Sequence, residues 1–293
     1  MTDLLKVKIL GSGKAATAQR SIVTGLAWLF QETGDYFESN LVSSCLAHYA
    51  HYSAVTTAIS SDLPILAEKP VCGSLCECDK LINLLRFKPH QHVFPVFQYR
   101  FANHAPVEGP EMVTQWKRPL EYWDGWRGLW STAYGGVLTS HGIHMIDLAI
   151  TNRGMPDKVS CTLDMMQPGV AVETQSTVGF HYKNSDTLTL TVKAGPDLEQ
   201  DGFNLGVSLV GYTELYSQIH KTLTKDAPPP VTLEDARNAL EVLTAAYYSA
   251  YSGKVVTLPI RNDHPFYAGW HEAFAQRVRQ QHTPSPDSQK IHG

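Results

Sequence analysis

The chain has 293 residues, of which 43% are hydrophobic and 18% are charged, and its formal net charge is -4. This length and apolar content favour two folded domains over a disordered chain. Lys and Arg are scattered along the sequence, so we expect no nucleic-acid or membrane partner and predict a small-molecule ligand. There is no signal-peptide pattern and no apolar run of the about 18 residues that a membrane span needs, so we predict a cytoplasmic protein.

Five cysteines, an odd number in a chain of this length, do not indicate a disulfide framework. Cys72, Cys76 and Cys78 are close in sequence, which is a pattern that can bind zinc. No further Cys or His follows at the spacing of a zinc finger. We therefore predict no metal site.

The first hundred residues alternate between short apolar runs and helical patterns. A strand at 6–10 is followed by Gly-Ser-Gly and a helix at 15–30. The same reading gives a strand at 41–46, a helix at 50–60, and strands at 63–67 and 93–98. Strands separated by helices pair in parallel through right-handed crossovers. Residues 1–101 are thus predicted to form a Rossmann-like, doubly wound parallel sheet.

This first domain is short for a dinucleotide-binding domain. Such a domain has a second strand, whose end presents an acidic residue about 20 positions after the glycines. Glu32 and Asp35 lie near that distance, but no convincing strand precedes them. We therefore expect a shortened domain that lacks this strand.

The pattern changes after about residue 102 to longer alternating segments. We predict strands at 111–117, 158–164, 172–182, 187–193 and 206–210, and helices at 138–152 and 232–253. Thr232 with Asp235 forms a capping-box-like start of the last helix, and Gly253 ends it. Residues 102–282 are thus predicted to be an α+β domain with an open, mostly antiparallel sheet, followed by a frayed tail at 283–293.

Three local motifs contain residues suited to ligand binding or catalysis. The first is Gly11-Ser12-Gly13-x-x-Ala16, which follows a strand and opens a helix. Glycines at such a turn let the backbone approach a pyrophosphate, and the start of the helix offers unpaired N–H groups. The alternative is a turn that uses glycine only for its backbone freedom. The motif alone leaves both interpretations open.

The second motif is Glu68-Lys69-Pro70, which follows a predicted parallel strand. Ligands of open α/β sheets bind at the carboxyl ends of the strands, so Lys69 is placed to contact a substrate hydroxyl. An ordinary surface lysine before a proline is the alternative.

The third motif lies at the start of the helix at 138–152. Ser140 and His144 are four residues apart and should share one helical face, as should His144 and Asp147. A cleft-facing imidazole can exchange a proton with a substrate at neutral pH. His141 points away from that face and is interpreted as structural.

Five features follow one another along the chain: the glycine turn, Glu-Lys-Pro, Trp126-Arg127-Gly128, the Gly-Gly run at 135–147, and the helix start Val-Thr-Leu-Glu-Asp-Ala-Arg at 231–237. Together and in this order, they resemble the Gfo/Idh/MocA oxidoreductases. The resemblance extends from Lys6 to about Trp270. It implies a Rossmann domain followed by an open-sheet domain, NAD or NADP as cofactor, a sugar-like or cyclitol-like alcohol or ketone as substrate, and a homodimer or homotetramer. The chain would then be a dehydrogenase or reductase that acts on CH–OH groups.

The resemblance also implies roles for individual residues. Lys69 and His144 would be catalytic, and Lys69, Ser140 and His144 would contact the substrate. The residues implied to contact the cofactor are Gly11, Gly13, Ala16, Ala47, His48, His51, Glu68, Lys69, Gln98, Arg100, Trp126 and Arg127.

Two other functions remain open at this stage. Ser140 stands where many members of the family have an acidic or amide residue, which fits a non-catalytic ligand-binding or regulatory protein on the same fold. A cofactor-independent lyase or isomerase that uses His144 and Lys69 for proton transfer is the other alternative.

Overall fold

The computed structural model describes residues 4–102, 107, 109–165, 167, 169–199 and 205–282. The predicted tail at 283–293 lies outside the described residues. The first part of the chain contains, in order, β1 (Leu5–Leu10), α1 (Lys14–Gly25), β2 (Phe30–Glu32), β3 (Leu41–Ser44), α2 (His48–Ser60), β4 (Ile65–Ala67), α3 (Leu75–Arg86) and β5 (Val93–Pro95).

These five strands form one parallel sheet in the order β2-β1-β3-β4-β5. The predicted Rossmann-like sheet is confirmed. Two details of the prediction are wrong. The first helix ends at Gly25 instead of residue 30, and a strand does precede Glu32. After β2 the chain passes to β3 without an intervening helix, so this half is shorter than a full dinucleotide-binding domain.

The second part contains β6 (Glu111–Lys117), α4 (Trp130–Ala133), a π-helical turn (Leu138–Gly142) that continues into α5 (Ile143–Arg153), β7 (Lys158–Asp164), β8 (Gln175–His181), β9 (Thr187–Gly195), α6 (Leu205–Lys225), α7 (Leu233–Ser252), β10 (Val256–Thr257) and α8 (His271–His282). The sheet order is β10-β7-β8-β9-β6. Only β6 and β9 pair in parallel among these neighbours, which confirms an open, mostly antiparallel sheet.

The predicted strand at 206–210 is wrong, because these residues belong to the long helix α6. Further along α6, Tyr212, Leu215, Tyr216 and Ile219 are buried at helical spacing. The helix packs on α1 and on the 3-10 turn Gln98–Phe101 of the first part. The predicted division at residue 101 stays a prediction, since α6 follows β9 in the second part but packs on the first part.

One face of the second sheet is buried by helices. Side chains at alternating positions of β8 and β9, namely Val178, Phe180, Leu188, Leu190 and Val192, are 0% exposed. Helix α7 packs on β7, and the π-helical turn lies on β9. The opposite face is mostly polar, and its Val113 is 61% exposed. The alternating apolar residues of β8 and β9 are thus core residues of a single chain.

Helix α7 is capped at both ends. Helix α7 starts with a complete capping box, in which Thr232 and Asp235 hydrogen-bond each other's backbone N–H groups, and it ends at Gly253 in the left-handed conformation. Both ends agree with the prediction.

No helix in the described part of the chain combines the length and the apolar character needed to cross a bilayer.

Candidate active site

The glycine turn joins β1 to α1. Gly11 has a φ of +111°, and a Cβ at this position would lie 2.6 Å from the carbonyl oxygen of Cys45. Gly13 is the N-cap residue of α1, provides no side-chain cap, and would direct a Cβ into open space. The turn therefore leaves room for a ligand at the N–H groups that begin the helix. Ala16 is fully buried and packs in the core.

A cleft of about 440 Å³ lies between this turn, the ends of β3 and β4, and residues 122–140 of the second part. Ten of the predicted site residues line it: Gly11, Gly13, Ala47, His48, His51, Glu68, Lys69, Trp126, Arg127 and Ser140. The same cleft is also lined by residues that were not predicted, among them Lys14, Tyr122 and Trp123. Four predicted residues, Ala16, Gln98, Arg100 and His144, are not part of this lining.

Lys69 follows β4 and reaches across the cleft to the second part of the chain. Its ammonium group donates a hydrogen bond to the carbonyl oxygen of Ser140, and the Lys69–Pro70 peptide bond is cis. Burial lowers the pKa of Lys69 to about 8, with smaller contributions in the same direction from Arg127 and Arg118, while Glu68 opposes the shift. Lys69 can therefore gain or lose a proton near neutral pH.

Glu68 is held in a buried polar network beneath Lys69. One of its carboxylate oxygens accepts hydrogen bonds from Gln19 Nε2 at 2.9 Å and from the Tyr212 hydroxyl at 2.5 Å. Tyr216 donates to the Gln19 side-chain oxygen at 2.8 Å. Helices α1 and α6 thereby fix the end of β4, so Glu68 acts by positioning Lys69.

His144 lies behind the cleft wall, in the first turns of α5. Its ring makes perpendicular contacts with Tyr99 and Phe97, at centroid distances of 4.8 and 6.3 Å. Its Nδ1 is buried and has no hydrogen-bond partner among the described residues. Burial, followed by the charge of Lys69, holds the pKa of His144 well below its usual range. The ring is therefore neutral and close to Lys69.

Ser140 belongs to a chain of hydrogen bonds with a defined direction. Arg118 donates to His141 Nε2 at 3.0 Å, which leaves His141 Nδ1 protonated to donate to Ser140 Oγ at 2.8 Å. Ser140 Oγ donates in turn to the Gly136 carbonyl at 2.7 Å. His141, which the sequence indicated as structural, orients Ser140 and contacts the unpredicted Arg118. Burial and then the charge of Arg118 hold the pKa of His141 well below its usual range.

Arg100 forms part of an ion-pair cluster outside the cleft. It binds the carboxylate of Asp147 through two hydrogen bonds of 2.8 and 2.6 Å, and it lies 3.2 Å from Asp235. Burial raises the pKa of Asp147 to about 6, against the opposing effect of Arg100. The hydrogen bonds between Arg100 and Asp147 anchor α5 to the 3-10 turn Gln98–Phe101 of the first part of the chain. At the start of that turn, the backbone carbonyl of Gln98 packs against Gly211 of α6.

The start of α2 contributes two histidines to the cleft. His48 Nδ1 lies 2.8 Å from the Ala133 carbonyl, and its ring contacts Trp126 at 4.8 Å. The ring nitrogens of His51 lie 2.7 and 2.9 Å from the carbonyl oxygens of Pro70 and Leu46. Burial lowers the pKa of both histidines. Contacts with backbone carbonyls therefore fix both rings in the cleft wall.

Two acidic residues near the site were not among the predicted site residues, although Glu32 was noted at the expected distance from the glycines. Glu32 ends β2, beside the glycine turn, and forms a 2.9 Å ion pair with Arg20 of α1. Glu173 is fully buried and accepts hydrogen bonds from the backbone N–H groups of Gly136 and Leu138 at 2.7 and 3.1 Å. Burial raises the pKa of Glu173 to about 7. Glu173 thus fixes the Gly-Gly turn that precedes Ser140.

A family profile matches part of the second half of the chain. Residues 109–200 match the sequence profile described as the GFO/IDH/MocA C-terminal domain. The predicted Gfo/Idh/MocA resemblance is confirmed. A search by sequence among curated proteins finds no match.

In the described part of the chain, no three His, Cys, Asp or Glu side chains are arranged to hold a metal ion.

Solved structures share the fold over most of the chain. The WlbA dehydrogenase from Chromobacterium violaceum, solved with NADH and UDP-GlcNAcA, has a TM-score of 0.75 at 17% identity, covering 89% of this chain and 98% of its own. An Agrobacterium radiobacter oxidoreductase solved with NAD+, L-tartaric acid and magnesium has a TM-score of 0.70 at 12% identity, covering 86% and 98%. A putative myo-inositol dehydrogenase from Sinorhizobium meliloti has a TM-score of 0.69 at 12% identity, covering 87% and 100%. At these identities the likeness shows the fold.

Proposed function

We propose that this chain is an NAD-dependent oxidoreductase that acts on the alcohol or ketone group of a sugar-like substrate. The observation that carries the proposal is that the Gly11–Gly13 turn and Lys69 line one cleft. Support for the cofactor comes from the open space in front of Gly13 and from the relatives of the same fold that were solved with NAD+ or NADH. When bound, the nicotinamide would supply the hydride chemistry.

The residues of the chain would supply binding and proton transfer. Gly11, Gly13 and the start of α1 would hold the pyrophosphate, as the geometry of the turn allows. In the oxidative direction, the alcohol carbon loses a hydride and its oxygen loses a proton. Lys69 would accept that proton, because its pKa of about 8 leaves part of the amine neutral at slightly alkaline pH. His144 would relay the proton as a neutral ring, releasing one from its second nitrogen as it accepts one, because its low pKa prevents it from holding the charge.

The end of β2 indicates a preference for NAD over NADP. Glu32 ends β2, and a carboxylate at the end of this strand in a dinucleotide-binding domain hydrogen-bonds the ribose hydroxyls of NAD and would repel the 2′-phosphate of NADP. Arg20 lies against the same carboxylate at 2.9 Å and would position it. We expect NADH to bind at least about 10-fold more tightly than NADPH, which corresponds to about 1.4 kcal/mol.

Fluorescence titration of NADH and NADPH tests the proposal directly. Wild-type protein should bind NADH, and Glu32→Gln should narrow the difference between the two cofactors. The exposed Glu38, which pairs with Lys6, gives the matched control Glu38→Gln. The absence of NADH binding would reject the proposal.

Turnover separates an enzyme from a regulatory protein on the same fold. With a polyol panel and NAD+, we expect Lys69→Met and His144→Ala to lose about 100-fold or more in rate while retaining NADH binding, as is typical when an acid/base group is removed. A protein that binds NADH, shows no turnover and keeps its biological output in both variants would instead be regulatory. The predicted homodimer or homotetramer stays a prediction, and light scattering in solution tests it.

A further inference from the structure

Three cationic side chains surround the part of the cleft away from the glycine turn. Lys69 and Arg127 line the cleft, and Arg118 lies close enough to Lys69 to contribute to its low pKa. The guanidinium carbons of Arg118 and Arg127 lie 5.1 and 5.2 Å from the centre of the Tyr122 ring, which also lines the cleft. The two arginines and Tyr122 therefore form one assembly at the cleft wall.

Neither guanidinium forms an ion pair within the described residues. Arg127 is held by aromatic faces, with its guanidinium carbon 4.5 Å from the Trp126 ring centre as well as near Tyr122. Arg118 donates to His141 Nε2 and to the Lys117 carbonyl, while its Nε is buried and has no partner in the described part of the chain. Both arginines are thus oriented by neutral groups and retain donors for an anion.

The protein itself supplies little negative charge to balance these cations. The carboxylate that lines the cleft belongs to Glu68, and its Oε1 already accepts hydrogen bonds from Gln19 and Tyr212. Ser140 stands at the position where the resemblance led us to expect an acidic or amide residue, and it is neutral. Like charges in a partly buried cleft repel one another, and an anion placed between them removes that repulsion.

We propose that the substrate carries a carboxylate or phosphate group near its reacting alcohol or ketone carbon, and that Arg118 and Arg127 bind this anionic group beside Tyr122. This inference rests on the proposed function. Arg127, which the sequence resemblance implied to contact the cofactor, would then contact the substrate. Planar guanidinium groups bind both anions through paired N–H donors, while Lys69 stays free to contact the reacting oxygen.

Calorimetric titration with matched ligands tests the inference. The pairs are D-glucuronate against D-glucose and L-tartrate against L-threitol, with D-glucose 6-phosphate as the phosphate arm, all at one ionic strength. Each titration is carried out with and without saturating NADH. We expect at least one acid or the phosphate ester to bind about 10-fold or more tightly than its neutral counterpart. The stronger of the carboxylate and phosphate arms identifies the natural anionic group.

Variants connect that difference to the arginines. Arg118→Met and Arg127→Met should each reduce the preference for the anion by about 10-fold while leaving the NADH dissociation constant unchanged. Arg277→Met is the matched control, because this arginine also stacks on a tyrosine, Tyr251, but lies on α8. It should retain the full preference.

Three results would overturn the inference, and none depends on the redox reaction. The first is that no anionic ligand binds more tightly than its neutral partner, including the case in which none of them binds. The second is an equal loss of preference in Arg277→Met. The third is that Arg127→Met weakens NADH binding as much as anion binding, which would return Arg127 to the cofactor. Failure of the proposed function would appear separately, as anion binding to a protein that does not bind NADH.

Discussion

Replacement of Lys69 by methionine should stabilise the folded protein while it removes activity. The pKa of Lys69 falls from 10.5 to about 8 through burial and two neighbouring arginines. At about 1.4 kcal/mol for each pKa unit, the charged lysine costs the folded state about 3 kcal/mol at pH 7. Loss of the hydrogen bond to the Ser140 carbonyl offsets about 1 kcal/mol. We therefore expect Lys69→Met to raise the free energy of unfolding by about 2 kcal/mol at pH 7.

The pH dependence gives this prediction a sign that a packing effect would not reproduce. Because the pKa of Lys69 is lower in the folded state, the unfolded chain binds more protons than the folded protein between pH 8 and 10.5. Wild-type stability therefore rises with pH across that window, and the advantage of the variant disappears there. Urea unfolding from pH 7 to 10.5 measures both curves, with the exposed Lys254→Met as control. A variant that is less stable than the wild type at pH 7, or a difference that does not change with pH, would refute the reasoning.

Two further predictions concern the glycine turn and the buried ion pair. Gly11→Ala should destabilise the fold by about 2 kcal/mol or more in urea unfolding, because its positive φ and the Cys45 carbonyl at 2.6 Å both exclude a Cβ. Gly13→Ala should keep wild-type stability and weaken the binding of NADH in the fluorescence titration. Equal losses of stability in Gly11→Ala and Gly13→Ala would contradict the separate roles of these two glycines. Asp147→Ala should cost about 3 kcal/mol in the same unfolding assay, because it removes both hydrogen bonds and leaves the Arg100 guanidinium without its buried partner. A loss below about 0.5 kcal/mol, the size expected for a surface substitution, would show that this pair does not anchor α5.

Long periodic segments were predictable from the sequence because burial on one face imposes a regular pattern. Strands β6 and β7 have the bounds that alternation indicated, and α7 begins and ends at its predicted caps. The Gly11 turn and Lys69 were also predictable, since a positive φ and the carboxyl end of a parallel strand leave local signs in the sequence.

The remaining features depend on tertiary contacts that a short segment does not reveal. Strand β2 has three residues at the edge of the sheet, and only Phe30 is buried, so it shows no alternation. Residues 206–210 alternate like a strand, yet the helical spacing of Tyr212 and Tyr216 further along determines α6. Arg118 gave no local sign, because its role comes from contacts with His141, 23 positions away.

A crystal structure of the protein soaked with NAD+ tests the central claim most directly. We expect the pyrophosphate to lie on the Gly11–Gly13 turn at the start of α1, with the nicotinamide ring beside the Lys69 ammonium group. A dinucleotide bound elsewhere on the chain, or a nicotinamide ring directed away from Lys69, would contradict the proposed active site.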